Sequence, residues 1–189
     1  MKLSLACGAV IALAALTPLA ASADSPRHFL HDAIAGDNSE VALGNMAQEH
    51  AASGRVRDFG RTLSTDHGQA RDHAQALADR MGIGRVREMT PEARHERDRL
   101  FGLHGRDFDR EFVRYMIDDH RQDIAKFRDE AREHHGPVSR LAREQLPTLQ
   151  KHLDMALAIQ AHEDDRMADR DNGRGRWERD NGHDRWDHR

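Results

Sequence analysis

The chain has little of several things. Among its 189 residues there are one cysteine, one tyrosine, two tryptophans and three lysines, and Val, Ile and Thr together number 17. A lone cysteine excludes a disulfide scaffold and a cysteine-based zinc ribbon. Scarce β-branched residues, beside abundant Ala, Leu, Arg, Glu, Gln and Met, favour helix over sheet. Neither charge sign prevails: 29 Lys+Arg against 33 Asp+Glu leave a net charge of −4, which argues against a nucleic-acid binder held by phosphate neutralisation. The length fits one domain, and the mean hydropathy is −0.85. What is there in excess is 14 His and 26 Arg. The histidines point to a pH-responsive or metal-binding surface, or to an Arg-rich composition that carried His with it.

Met1 and Lys2 precede an apolar run over 3–16, and Ala21-Ser22-Ala23 is a small-x-small cleavage site before Asp24. This pattern predicts a removable signal peptide over 1–23, hence a periplasmic or secreted protein. The rival, a membrane anchor, needs ~20 apolar residues, and Thr17-Pro18 interrupts the run. Cys7 lies inside the run, so it is discarded with the signal and leaves a mature chain, 24–189, without cysteine.

Four helical stripes follow. Ser25-Pro26 opens the first, about 26–52, with Phe29, Ala33, Gly36, Glu40, Leu43 and Ala47 on one face. After Ser53-Gly54, Val56, Phe59, Leu63, Ala70, Ala74 and Leu77 mark a second, ending at Gly82 and Gly84. A connection over 83–106 holds a short helical stretch opened by Thr90-Pro91-Glu92. The third helix carries Phe108, Phe112, Met116, Ile124, Phe127 and Ala131 up to His134-His135-Gly136-Pro137. The fourth, about 137–162, carries Val138, Leu141, Leu149, Leu153, Ala156 and Ile159, with Pro147 predicting a local kink. Two tight hairpins and one long crossover predict an all-α, ferritin-like four-helix bundle over 24–162, with a simple up-down-up-down bundle as the alternative. From Glu163 the periodicity gives way to alternating charge and a nine-residue tandem repeat beginning at Arg170 and Arg179, each copy with a tryptophan, Trp177 and Trp186. A disordered tail over 163–189 is expected there.

Each stripe is interrupted by an ionisable residue where an apolar one belongs: Glu40, His67, His120 and His152. At 1.5 Å rise per residue, Glu40 and His67 stand ~20 Å from the first hairpin turn, and His120 and His152 ~24 Å from the second. Antiparallel docking of the hairpins brings all four together. One carboxylate and three imidazoles buried without partners are costly. A divalent transition ion in an N3O set, zinc, copper, iron or manganese, removes that cost. So does a metal-free network with Tyr115, Asp66, Asp119 and buried water. Asp66 and Asp119 directly precede His67 and His120, as exposed flanks, further ligands or acceptors behind the imidazoles. Met116 and Met155, a turn from His120 and His152, are core filler or a bias toward copper. His28, His31, His134 and His135 are expected on the surface.

Phe29-Leu30-His31-Asp32-Ala33, Asn38-Ser39-Glu40-Val41, Val56-Arg57-Asp58-Phe59-Gly60, Asp66-His67, Met116-Ile117-Asp118-Asp119-His120 and Leu146-Pro147-Thr148-Leu149-Gln150-Lys151-His152-Leu153 together resemble the exported bacterial family "domain of unknown function 4142" over about 28–160. The resemblance implies a ferritin-like bundle outside the cytoplasm. It implies no reaction, and it marks Glu40, His67, His120 and His152 as recurring polar positions, hence candidate ligands.

The expected function is a non-catalytic envelope protein that binds one transition metal in its core and serves metal handling or stress resistance. A metal-free interaction or chaperone-like module for an envelope partner is the second expectation. A ferritin-type di-iron oxidase is the enzyme alternative, but its Glu-x-x-His pattern occurs here only as Glu92 to His95, in the connection. Nothing supports nucleophilic hydrolysis or phosphoryl transfer.

Overall fold

The computed structural model describes residues 25–181 apart from His134, with side chains as far as Asp165. The expected signal peptide and Cys7 lie outside the described residues. Every element among those described is a helix: α1 Pro26–His50, α2 Gly54–Arg80, α3 Pro91–Phe101, α4 Gly105–Glu133 and α5 Pro137–Asn181. The starts are chemically specified. Ser25 Oγ accepts the His28 N–H at 3.3 Å and Thr90 Oγ1 the Ala93 N–H at 3.1 Å, each with a proline in the following first turn. Gly82, just past α2, has φ +67°, a conformation that other residues adopt only at a cost.

The predicted stripes supply the core. Phe59, Leu63, Phe108, Phe112 and Met116 are fully buried, and Leu149, Leu153, Ala156 and Ile159 close it from α5. Leu30 and Ile34 are also fully buried although they lie off the α1 stripe. The reason is that α1 packs on α2, α3 and α4 together, so one stripe cannot cover its contacts.

The closest approach of α1 and α2 is set by two glycines. A Cβ on Gly44 would meet the Gly60 carbonyl oxygen at 2.6 Å, and a Cβ on Gly60 would meet the Gly44 carbonyl oxygen at 2.6 Å. Glu40 lies one turn before this contact and His67 about two turns after it, so the two residues stand within about a turn of each other on closely packed backbones, near enough for their side chains to meet.

The second hairpin, α4 and α5, runs the other way up. Asp109, in the second turn of α4, accepts the backbone N–H groups of Ala52 (3.0 Å) and Ser53 (2.8 Å), so the α1–α2 turn is tied to the beginning of α4. At the far end Phe29 meets Phe127 edge to face, with ring centroids 4.9 Å apart. Hence α2 and α4 run in the same sense, and the connection between them travels the length of the helices, as the crossover arrangement requires. It is strapped to α1: Asn38 Nδ2 donates to the Val86 and Glu88 carbonyls, and the Thr90 N–H donates to Ser39 Oγ at 3.0 Å.

The last helix departs from expectation. Its backbone is helical to Asn181, past the end near 162 that the apolar stripe predicts. Residues 182–189 lie outside the described residues. Pro147 sits within the continuous helix, and the carbonyl four residues before it, on Arg143, forgoes its intrahelical donor.

The glycine contact predicts opposite signs for two similar substitutions. Gly44→Ala should lower stability by about 1–3 kcal/mol, because backbone cannot yield to the new methyl. Gly68→Ala, whose Cβ would meet only Val41 Cγ2 at 4.0 Å, should raise it by about 0.5–1 kcal/mol through lost chain entropy and better propensity. Urea denaturation of the three proteins checks both.

Candidate metal centre

All four predicted residues converge. Glu40 from α1, His67 from α2, His120 from α4 and His152 from α5 are buried, and one ligand atom of each lies within 4.8 Å of the others. The hydrogen bonds show which atoms face inward. His67 Nδ1 donates to Asp37 Oδ1 at 2.8 Å, His120 Nδ1 to the Met116 carbonyl at 2.9 Å, and His152 Nε2 to Asp66 Oδ2 at 2.9 Å. Each imidazole thus commits its outer N–H to an oxygen and turns its other nitrogen to the centre. There His152 Nδ1 is 3.2 Å from His67 Nε2 and 3.3 Å from His120 Nε2. Glu40 completes the set: Oε2 touches His67 Nε2, Oε1 is 3.4 Å from His120 Nδ1, and neither oxygen has a hydrogen-bond partner.

Burial and charge pull these groups in opposite directions. Burial alone would raise the Glu40 carboxyl, but the facing His120 and His67 hold it well below the usual range. Burial alone would lower His67, yet the Glu40 charge and the Asp37 hydrogen bond push it well above an ordinary histidine. Without a metal, His67 is therefore an imidazolium between two carboxylates. Burial lowers His120, and it lowers His152 to about 4 despite the hydrogen bond to Asp66. Asp37 is raised by burial to about 6, against the pull of His67.

Of the flanking residues, Asp66 and Asp119 are half-buried rather than exposed. Asp66 sits behind His152 and also faces Lys151 Nζ at 3.5 Å. Asp119 turns to Glu40, and burial, with the charges of Asp123 and Glu40, raises its carboxyl well above the usual range. Tyr115, half-buried, is raised by burial and by Asp119, and so keeps its proton. Met116 meets the site through its carbonyl, and Met155 is half-buried against the core. His28 and His31 are on the surface, in ion pairs with Asp32, and His31 also with Glu88; His135 is exposed. Glu92 and His95 are exposed on α3. Two residues escaped the sequence reading, Asp37 and Asp123. Each had a signal: Asp37 is three before Glu40 and Asp123 three after His120, on the same helix faces.

An all-α fold with three oriented imidazoles and a carboxylate in its core is the class of protein that these observations define. The chain belongs to the family described as "Domain of unknown function (DUF4142)", whose sequence model matches residues 12–159. A DUF305 protein from Streptomyces coelicolor, described as secreted, has a similar fold in its crystal structure: the TM-score is 0.62 at 17% identity, over 75% of this chain and 95% of that one. No curated protein matches the chain. Among the described residues no helix is long and apolar enough to cross a membrane.

The environment of the imidazoles predicts two distinct titrations in the metal-free protein. His152, with its folded pKa below the unfolded value near 6.5, should be neutral at pH 7 and take up a proton only near pH 4; its share of stability is lost as pH falls across that interval. His67 should remain doubly protonated at pH 7, and its contribution is lost only as pH rises through its elevated pKa. NMR of ring-labelled histidines reads both, and a His67 found neutral at pH 7 would contradict the assignment.

Proposed function

We propose that this is an exported protein whose long helices form a ferritin-like bundle around one transition-metal ion held by Glu40, His67, His120 and His152, with a role in metal handling at the cell envelope. The observation that carries this is the orientation of the imidazoles. With all three outer N–H groups committed to Asp37, the Met116 carbonyl and Asp66, the inner nitrogens and the Glu40 carboxylate are four electron-pair donors directed at one another. Such a set repels itself unless a proton, as on His67, or a metal cation sits among them. The spacing agrees with the size of an ion. Ligands 2.0–2.1 Å from a tetrahedral centre lie about 3.3 Å apart, against 3.2 and 3.3 Å for the two nitrogen pairs. Four protein donors fill a tetrahedral ion, which supports a binding rather than a catalytic role. N3O suits zinc first, with iron, manganese and copper as the other candidates. The di-iron pattern has no support, since its one Glu-x-x-His is the exposed pair on α3. Export is supported by the signal-like N-terminus and by the description of the DUF305 neighbour as secreted.

A second reading has an observation of its own. The imidazolium of His67 between Asp37 and Glu40 supplies one positive charge without a metal, leaving a structural polar core and a metal-free module that docks an envelope partner. Proton and metal compete for the same nitrogen, so one experiment separates the readings.

Mass spectrometry of the purified protein should find one metal ion per chain, and chelation should lower the melting temperature. His120→Ala should lose the metal and make the melt insensitive to chelator. Because His67 must give up its proton, apparent affinity should fall roughly tenfold per unit as pH drops from 7 to 6. A metal-free protein whose melt ignores added zinc, copper, iron and manganese would leave the metal-free module.

A further inference from the structure

The nitrogen-rich centre lies between a small cavity lined by Asp66 and His67 and a larger cleft lined by Asp37, His67, Asp119 and Asp123. The cleft, of about 870 Å³, runs between α1, the strap before α3, and α4, and ten of its lining residues are Asp or Glu against two that are Lys or Arg. Asp37, Asp119 and Asp123 are on its inner wall. One oxygen each of Glu40, Asp119 and Asp123 lie within 4.8 Å of one another, so Glu40 belongs to two groups of donors, one of nitrogens and one of oxygens.

Two observations show that this is more than an acidic surface. Glu40 is 1% exposed, and neither of its oxygens has a hydrogen-bond partner. Asp37, 5% exposed on the same wall, gives one oxygen to His67 and has the other, Oδ2, buried with no partner. Unsatisfied buried carboxylate oxygens are costly and call for a cation. The charges do not balance with one ion. A divalent ion at the imidazoles exceeds the Glu40 charge by one, whereas Asp37, Asp119 and Asp123 add three carboxyl groups whose ionisation burial opposes while no cation is beside them, and the nearby lysine is Lys126, 67% exposed, with Nζ 3.6 Å from Asp123 Oδ1.

We propose that Glu40, Asp119 and Asp123 form a second divalent-cation site, made of oxygens alone, that shares Glu40 with the nitrogen-rich centre and completes its coordination with water from the cleft. The inference rests on the metal reading above. Three carboxylates and water suit a harder, six-coordinate ion of the manganese(II) type, whereas three imidazoles select a tetrahedral one. Glu40 is then a bridge between two unlike ions, and the cleft is the side from which the second exchanges with solvent.

Cobalt(II) chloride distinguishes the two environments, because tetrahedral cobalt absorbs visible light far more strongly than octahedral cobalt. The metal-free full protein is titrated and bound cobalt is counted by equilibrium dialysis, for wild type and for the doubly substituted Asp119→Asn, Asp123→Asn protein. Wild type should bind two cobalt ions per chain, the first raising intense bands and the second adding little to them. The asparagine variant should bind one, with the intense bands retained, which also reports that it is folded. One ion in wild type, or two in the variant, would overturn the oxygen site and leave the nitrogen-rich centre standing. Absence of intense bands from both proteins would overturn the two sites together.

Discussion

A carboxylate held away from water with no hydrogen bond is the constraint around which this molecule is organised. Glu40 is 1% exposed, and both of its oxygens lack hydrogen-bond partners. An isolated charge in that position would be intolerable. It persists because His67 and His120 face it, and because Asp37, the Met116 carbonyl and Asp66 hold the three imidazoles with one nitrogen of each turned inward. The arrangement is preorganised in the sense that matters for ion binding: the outer hydrogen bonds orient the donors before any ion arrives.

The scaffold delivers these groups through a few geometric devices rather than through a large core. Gly44 against Gly60 draws α1 and α2 together near the level of Glu40 and His67. Asp109 pins the first turn to the start of α4, which sets the second hairpin upside down against the first. Since the polar residues lie near mid-length in both hairpins, that inversion superimposes them. The strap over α1, held by Asn38 and Ser39, borders the acidic side of the site, so the long crossover shapes the cleft as well as joining two helices.

The sequence carried much of this, for identifiable reasons. Periodicity located the helices because their buried faces are apolar stripes, and Glu40, His67, His120 and His152 stood out as interruptions of those stripes. Distance from the hairpin turns then placed them at matching heights, since helix rise is constant. What stayed hidden depended on the helices' rotation about their axes. Asp37 and Asp123 lie beside the stripes, so a pattern of one apolar face cannot say whether they turn to the core or to water. Leu30 and Ile34 were missed because α1 packs against all four of the other helices. The helix beyond residue 162 was missed because the apolar stripe on which the reading relied ends at Ile159.

The distribution of the four inward-facing donors along the chain has a consequence for the unfolded state. Two come from the first hairpin and two from the second, with 52 residues between His67 and His120. The helices of each hairpin pack mainly on their own partner, α1 on α2 and α4 on α5. An ion bound by all four would therefore act as a reversible cross-link between halves of the chain, closing a long loop whose ends the denatured polypeptide would otherwise leave far apart. In a protein whose one cysteine is Cys7, that fastening would do for the two hairpins what disulfides do for small cross-linked domains, and it would answer to the supply of metal instead of to redox conditions.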